Sequence, residues 1–298
     1  MLKSQGCSDA GACSLGAMPG SKDEIKSSLM MNLQFGVGEQ GVRIITPQLE
    51  GVLKLNNKSY LQLKLPYVFA NGNLGTNNNL GDITLIGSYK IKSKNNYQIN
   101  VNAGFKLGVN DASHSKYGHF FAPGPGPLPM PYQTSLGTHD VLIGAGLKYK
   151  STWNFGIAFQ MPVYQFNKNN FDTAIAFSNS GDEKQYFSSY HLFRRPDAVI
   201  RIDKSFLINK FFTATAGALA IYHLGHDRAL TSSSNFKTDA AISGSKGLTL
   251  NIPVALSYDT QKHWSYALRF ASPIIVRKVR PDGLTRHFVT ALEIKYSF

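Results

Sequence analysis

The side chains of this sequence with most capacity for chemistry are its histidines, its two cysteines, and charged residues set into otherwise apolar stretches. His114, His119, His139, His191, His223, His226 and His287 stand in or beside long connecting segments, and His263 stands at a short one. Imidazole binds borderline divalent metals, and Asp82, Asp140 and Asp197 recur at similar places in the pattern. His114, His119, His139, His223, His226 and His287 are therefore candidate metal ligands at one end of the molecule, with solvated loop histidines as the plain alternative. Cys7 and Cys13 are the only cysteines. In an oxidising compartment an even pair is read first as a disulfide, here closing a small N-terminal loop, and second as a metal or redox pair. No Gly-x-Ser-x-Gly elbow or phosphate-binding loop is present, and His114-Ser115 and His139 belong to no catalytic motif, so neither an enzyme nor a cofactor is expected.

The elements carrying these residues show a period of two. Tyr97, Ile99, Val101, Ala103, Phe105, Leu107 and Val109 fall on one face, with Gln98, Asn100, Asn102, Gly104, Lys106 and Gly108 on the other. Such a run is long for a globular strand, but at about 3.3 Å per residue, tilted, it matches a bilayer. The alternation recurs at 61–69, 140–149, 153–163, 248–258 and 264–270, and more weakly at 28–38, 42–55, 82–92, 197–207 and 211–223. In the last of these both faces are apolar or small.

Composition agrees with this reading. Charged residues are 16%, below the usual quarter of a soluble domain. Mean hydropathy is −0.17, and no run approaches the ~18 consecutive apolar residues a membrane helix requires. A membrane barrel escapes that criterion, because its two faces cancel in any average. The net charge of +13 is dispersed rather than gathered in one tract, which argues against nucleic acid and is compatible with anionic lipid headgroups. No apolar signal region follows Met1, so the sequence reads as a mature or truncated chain.

Connections alternate in length. Tight links fall at Asn56-Asn57, Lys94-Asn95-Asn96, Ser151-Thr152, Asn209-Lys210 and Gln261-Lys262; long ones cover about 70–81, 110–138, 168–192, 224–246 and 277–286. Short turns on one side and long loops on the other are the pattern of periplasmic and extracellular ends. The expected fold is therefore all-β: a transmembrane antiparallel up-and-down β-barrel of about 12 strands over 24–298, in the bacterial outer membrane, with 1–23 as an N-terminal periplasmic segment or plug.

Alternation then assigns an inward set: Lys54, Lys64, Lys90, Lys106, Lys148, Arg201, Arg269 and Lys295, opposed by Glu50, Asp82, Asp140, Asp197, Asp203 and Glu293. Two readings stand: a salt-bridged interior, or a polar, net-cationic path lined by Lys64, Lys106, Lys148, Arg201, Arg269, Glu50, Asp82, Asp140, Asp197 and Glu293. Pro66, Pro162, Pro253 and Pro273 remove ladder donors, giving bulges or, alternatively, a lateral gap. The Pro-rich loop 120–132 is either a variable surface loop, a constriction or a contact surface.

The final strand, Phe288-x-Thr290-x-Leu292-x-Ile294-x-Tyr296-x-Phe298, resembles the C-terminal signal that bacterial assembly machinery reads in outer-membrane barrels. Gly81-Asp82-Ile83-Thr84, His139-Asp140-Val141 and Pro196-Asp197-Ala198, with Leu65-Pro66-Tyr67, Met161-Pro162-Val163 and Ile252-Pro253-Val254, resemble the phenol-degradation (MetA-pathway) outer-membrane transporters, distant relatives of the FadL hydrophobic-solute channels. That resemblance implies passive uptake of a small hydrophobic or aromatic solute. The alternative is a non-transporting structural, adhesive or secretion-associated barrel. The expected partners are outer-membrane lipids, the assembly machinery and a small solute.

Overall fold

A computed structural model of the protein describes residues 4–5, 26–94, 96–116, 126–173, 181–233, 236–283 and 285–298. Cys7, Cys13 and His119 lie outside the described residues, as does most of 1–23.

Twelve strands form a closed antiparallel barrel. They are β1 (Ser28–Gly38), β2 (Arg43–Lys54), β3 (Ser59–Gly72), β4 (Ile83–Lys94), β5 (Tyr97–Leu107), β6 (Thr138–Tyr149), β7 (Trp153–Gln165), β8 (Asp197–Leu207), β9 (Phe212–His223), β10 (Gly247–Asp259), β11 (Trp264–Ile275) and β12 (Thr285–Ser297). Each pairs with its sequence neighbours, and β12 closes onto β1 from Ser297↔Ser28 to Arg286↔Gly38. Closure leaves no open sheet edge, which is what allows strands to cross lipid.

The distribution of burial is inverted relative to a soluble protein. On β1 Met31 is 62% exposed while the neighbouring Asn32 is only 6% exposed. Leu29, Leu33, Phe105, Ile143, Ile157, Ile200, Leu268 and Leu292 also face outward, exposed. An apolar surface of this extent is unstable in water and stable in hydrocarbon. Aromatic rings flank it: Tyr149, Trp153, Phe212, Tyr258, Trp264 and Tyr296 at the short-turn end, and Tyr67, Phe69, Tyr164 and Tyr222 at the other. Phe212 and Tyr222 are ten positions apart on β9; at ~3.3 Å per residue and a tilt near 40° this gives a band about 25 Å tall, the height of outer-membrane barrels. The protein is a bacterial outer-membrane barrel.

The short turns are built by side chains that replace ladder bonds. Asn56 Oδ1 accepts from the backbone N–H groups of Lys58 and Ser59, and Asn209 Oδ1 from those of Phe211 and Phe212. Pro162 and Pro273 sit at register shifts, opposite Asp140 and Asn251, so bulges absorb their missing donors. At the other end the loops carry their own structure. Gly75–Leu80 prolongs β3 as a hairpin, and Arg228–Ser233 pairs with Phe236–Ala241.

Candidate functional site

The long loops fold over the extracellular mouth and pack. Val42, Ile44, Val68 and Ala70, at the upper ends of β2 and β3, bury against Leu128, Tyr132, Phe171 and Tyr186 from two loops. The hydroxyls of Tyr132 and Tyr186 lie 3.1 Å apart. Burial pushes both phenols above their ordinary pKa, and for Tyr186 the Tyr132 hydroxyl adds to the effect. Asn169, fully buried, stitches the same loops together: its amide donates to the carbonyls of Ala112 and Leu128, each at 2.9 Å, and its Oδ1 accepts from Ser189 Oγ at 2.8 Å.

Beneath this dome lies a layer of buried charge shared between wall and loops. From the wall come Lys106 (β5), Asp140 (β6), Asp197 (β8) and His223 (β9); Asp82 stands just before β4. Lys106 Nζ is 2.9 Å from Asp140 and 3.2 Å from Asp82. Asp140 also takes a hydrogen bond from Gln160 on β7. The loops contribute Arg194, Asp227, Arg277, Arg280 and Asp282. Arg194 reaches Asp197 at 2.7 Å and Asp282 at 3.3 Å, and Arg277 pairs with Asp282 and lies 3.7 Å from Asp227. Arg280 holds Glu39, in the β1–β2 connection, at 2.6 Å.

His223 stands between two carboxylates, Nδ1 2.6 Å from Asp197 and Nε2 2.7 Å from Asp227. Ionised carboxylates only accept, so the arrangement is satisfied by a ring carrying both protons. Burial opposes the charge of Arg194, yet Asp197 and Asp282 outweigh it and hold the guanidinium pKa above its ordinary value. Burial likewise opposes ionisation of Asp282, but Arg277 and Arg194 dominate and keep its carboxyl well below the usual range. Removing any one partner would leave its neighbours under-compensated in a dry site.

One step further into the barrel the inner wall turns apolar. Ile86 (β4), Leu142 (β6), Ala158 (β7), Val199 (β8), and Leu219 and Ile221 (β9) form one buried cluster. Between Ile86 and Leu142 the inward position on β5 is Gly104, where an added Cβ would run into the Leu85 carbonyl and Ile86. The facing wall is polar: Asn32, Gln34, Thr46, Gln48 and Glu50 are all buried. Lower down, Lys64 pairs with Glu50 at 3.4 Å, Arg201 with Asp203 at 2.5 Å, and Arg269 with Glu293 at 2.7 Å. Arg269 points inward yet is 45% exposed, so the periplasmic half of the bore is wet. At the mouth, a cavity of about 60 Å³ remains between Asp82, Lys106, Thr134 and Arg286.

The structure thus draws Lys106, Asp82, Asp140 and Asp197 into the upper layer, and places Lys64, Glu50, Arg201, Arg269, Glu293 and the buried Lys148 lower on the inner face. The histidines are not brought together. His139 stacks outward on Tyr164 and packs at a tilt against Phe166, His223 is locked inside, His226 lines an outer groove, His114 sits in a loop, and His287 is on β12. Among the described residues no three His, Cys, Asp or Glu side chains are grouped to hold a metal ion. Sequence reasoning missed Arg194, Arg277, Arg280, Asp227, Asp282 and Glu39, which lie in connections without periodicity. It also missed the inner apolar cluster, whose one trace was the two apolar faces of 211–223.

No protein-family model matches the chain, and no curated protein matches it. Among solved structures it is similar to the NanC porin (12% identity, covering 91% of this chain and 100% of that one, TM-score 0.48). It is also similar to a Pseudomonas aeruginosa FadL homologue (12%, 92% and 89%, 0.39) and to the Ralstonia pickettii toluene transporter TbuX (12%, 97% and 94%, 0.42). All three TM-scores fall below 0.5.

Proposed function

We propose that this barrel is a passive outer-membrane channel for a small hydrophobic or aromatic solute, held shut at its extracellular mouth by the layer of buried charge. The observation that carries this reading is the apolar cluster of Ile86, Leu142, Val199, Leu219 and Ile221 on the inner wall. Lipid requires apolar residues outside a barrel and makes no such demand inside. An apolar inner wall facing a polar one suits a solute that is greasy on one side and weakly polar on the other. Lys64, Lys106, Lys148, Arg201, Arg269, Glu50, Asp82, Asp140, Asp197 and Glu293 would line its route.

The packed mouth favours a second reading, a non-transporting barrel whose interior is filled for stability and whose loops meet a partner. Liposomes containing the protein separate the two. Uptake of an uncharged monoaromatic compound that exceeds uptake of a sugar of similar size supports the channel. Equal leakage of both, or none, supports the structural reading. In either case we assign the strand ending at Phe298 to recognition by the assembly machinery, and Cys7 and Cys13 to a disulfide.

A further inference from the structure

A groove of about 450 Å³ opens on the outside of the barrel above β8 and β9, lined by Arg195, Pro196, Leu224, Gly225, His226 and Arg228, with Ala241 at its edge. Its position follows from the alternation that builds the charge layer. Arg194, Asp197, His223 and Asp227 point inward and are buried, so the residues between them, Arg195 and 224–226, are turned outward. The groove therefore sits at the extracellular rim, directly above the lipid-facing Tyr222 and Ile200.

Its cation is held ready. The Arg195 guanidinium lies over the Phe193 ring, 5.4 Å from the centroid, and its Nε donates to the His226 carbonyl at 3.4 Å. The Arg195 backbone N–H is fixed by Asp227 Oδ1 at 2.9 Å. The arginine stem crosses Gly225 so closely that a Cβ there would lie 2.9 Å from Arg195 Cγ. Among the described residues no carboxylate forms an ion pair with Arg195. Arg228 pairs with Asp239, but both side chains are nearly half exposed, so that pair is weak and exchangeable. Below the groove an apolar track continues into the membrane. Phe193 and Leu224 are exposed at the rim, and on β8 the small outward residue Ala198 lies between Phe159 and Tyr222, leaving a trough.

We propose that this groove binds a phosphate-bearing lipid of the outer leaflet, with its phosphate on Arg195 and Arg228 and an acyl chain along Leu224, Tyr222 and Ala198. A fixed guanidinium without a carboxylate is suited to phosphate, which it binds through two parallel N–H bonds. Basic residues immediately above an apolar belt meet the anionic headgroup plane. The polar and apolar halves of the site lie in the order in which a lipid presents its headgroup and chain.

The test uses the full chain in uncharged detergent, titrated calorimetrically with bis-phosphorylated lipid A, with the same lipid after enzymatic removal of its phosphates, and with inorganic phosphate. Saturable binding of the phosphorylated lipid is expected, weakened about tenfold by Arg195→Gln and by Gly225→Val, which displaces the arginine stem. Retention of heat-modifiable migration on gels shows that both variants are folded barrels. Equal binding of the dephosphorylated lipid overturns the proposal, as does unchanged binding by Arg195→Gln. Inorganic phosphate saturating the site at the lipid's own concentration overturns the assignment to lipid.

Discussion

Replacing Arg194 by Met is the sharpest perturbation of the mouth. The side chain is 1% exposed, and its partners Asp197 and Asp282 are as deeply buried. Methionine keeps much of the volume and removes the charge, leaving two carboxylates each one cation poorer. Breaking a buried pair from one side costs about 3–5 kcal/mol. Asp197 retains His223 and Asp282 retains Arg277, so the lower end, about 3 kcal/mol, applies here. The barrel ladder makes no use of the Arg194 side chain, so the loss falls on docking of the loops that carry Arg194 and Asp282. A change of about 3 kcal/mol is roughly a hundredfold shift between docked and undocked loops. Single-channel recording in planar bilayers should show open time rising by about that factor, and trypsin should cut faster at the exposed Lys184 and Lys278. A folded Arg194→Met barrel with unchanged open time and unchanged cleavage would refute the assignment of the charge layer as the latch.

Acid should act through Asp282. Its folded pKa is depressed by Arg277 and Arg194, so its contribution to docking is fully present above the ordinary carboxylate value of about 3.9 and is lost as pH falls through the depressed one. Open time at pH 5 should equal that at pH 7 and rise only well below pH 4; opening already at pH 5 would contradict this. Gly104→Ala should cost about 1–3 kcal/mol in urea unfolding from lipid vesicles, because the new Cβ collides with the Leu85 carbonyl and Ile86. Leu142→Asn should lower the flux of an uncharged aromatic solute severalfold through vesicle-reconstituted protein while leaving potassium chloride conductance near its original value.

Legibility in the sequence tracked the strength of the physical constraint. Lipid demands an apolar side chain at every second position, so Val101 and Asn102, or Ile143 and Gly144, announce their faces without a structure. The turns at Asn56 and Asn209 were equally visible, because an Asx side chain is the cheapest local substitute for a ladder bond. The dome was not visible. Arg277 and Asp227 are separated by a strand pair and meet only when two loops fold inward, and no periodicity encodes such a meeting. The histidines show how proximity in the chain misleads. His139 and Asp140 are neighbours, yet one packs against outer aromatics and the other salt-bridges inside, because a strand sends consecutive residues to opposite faces.

The mouth holds loop charges that are fully paired only when the loops meet one another and the wall. On the bare wall Lys106 would keep Asp140 and Asp82, and Asp197 would keep His223, but Arg194 in an undocked loop would lose Asp282, Arg277 would lose Asp227, and Arg280 would lose Glu39. Docking restores these pairs together, so covering the mouth and pairing its loop charges are one event. Opening, in the proposed channel, would require water to replace each lost pair, and Arg269 in the lower half is accessible to it. Between that water and the charge layer lies the belt of Ile86, Leu142, Val199, Leu219 and Ile221. An ion passing this cluster loses hydration on that side and keeps only the polar facing wall, whereas an apolar solute gains contact there. In the proposed channel, the order of the layers, charge above grease above water, would make the apolar cluster a selective barrier and the charge layer its lock.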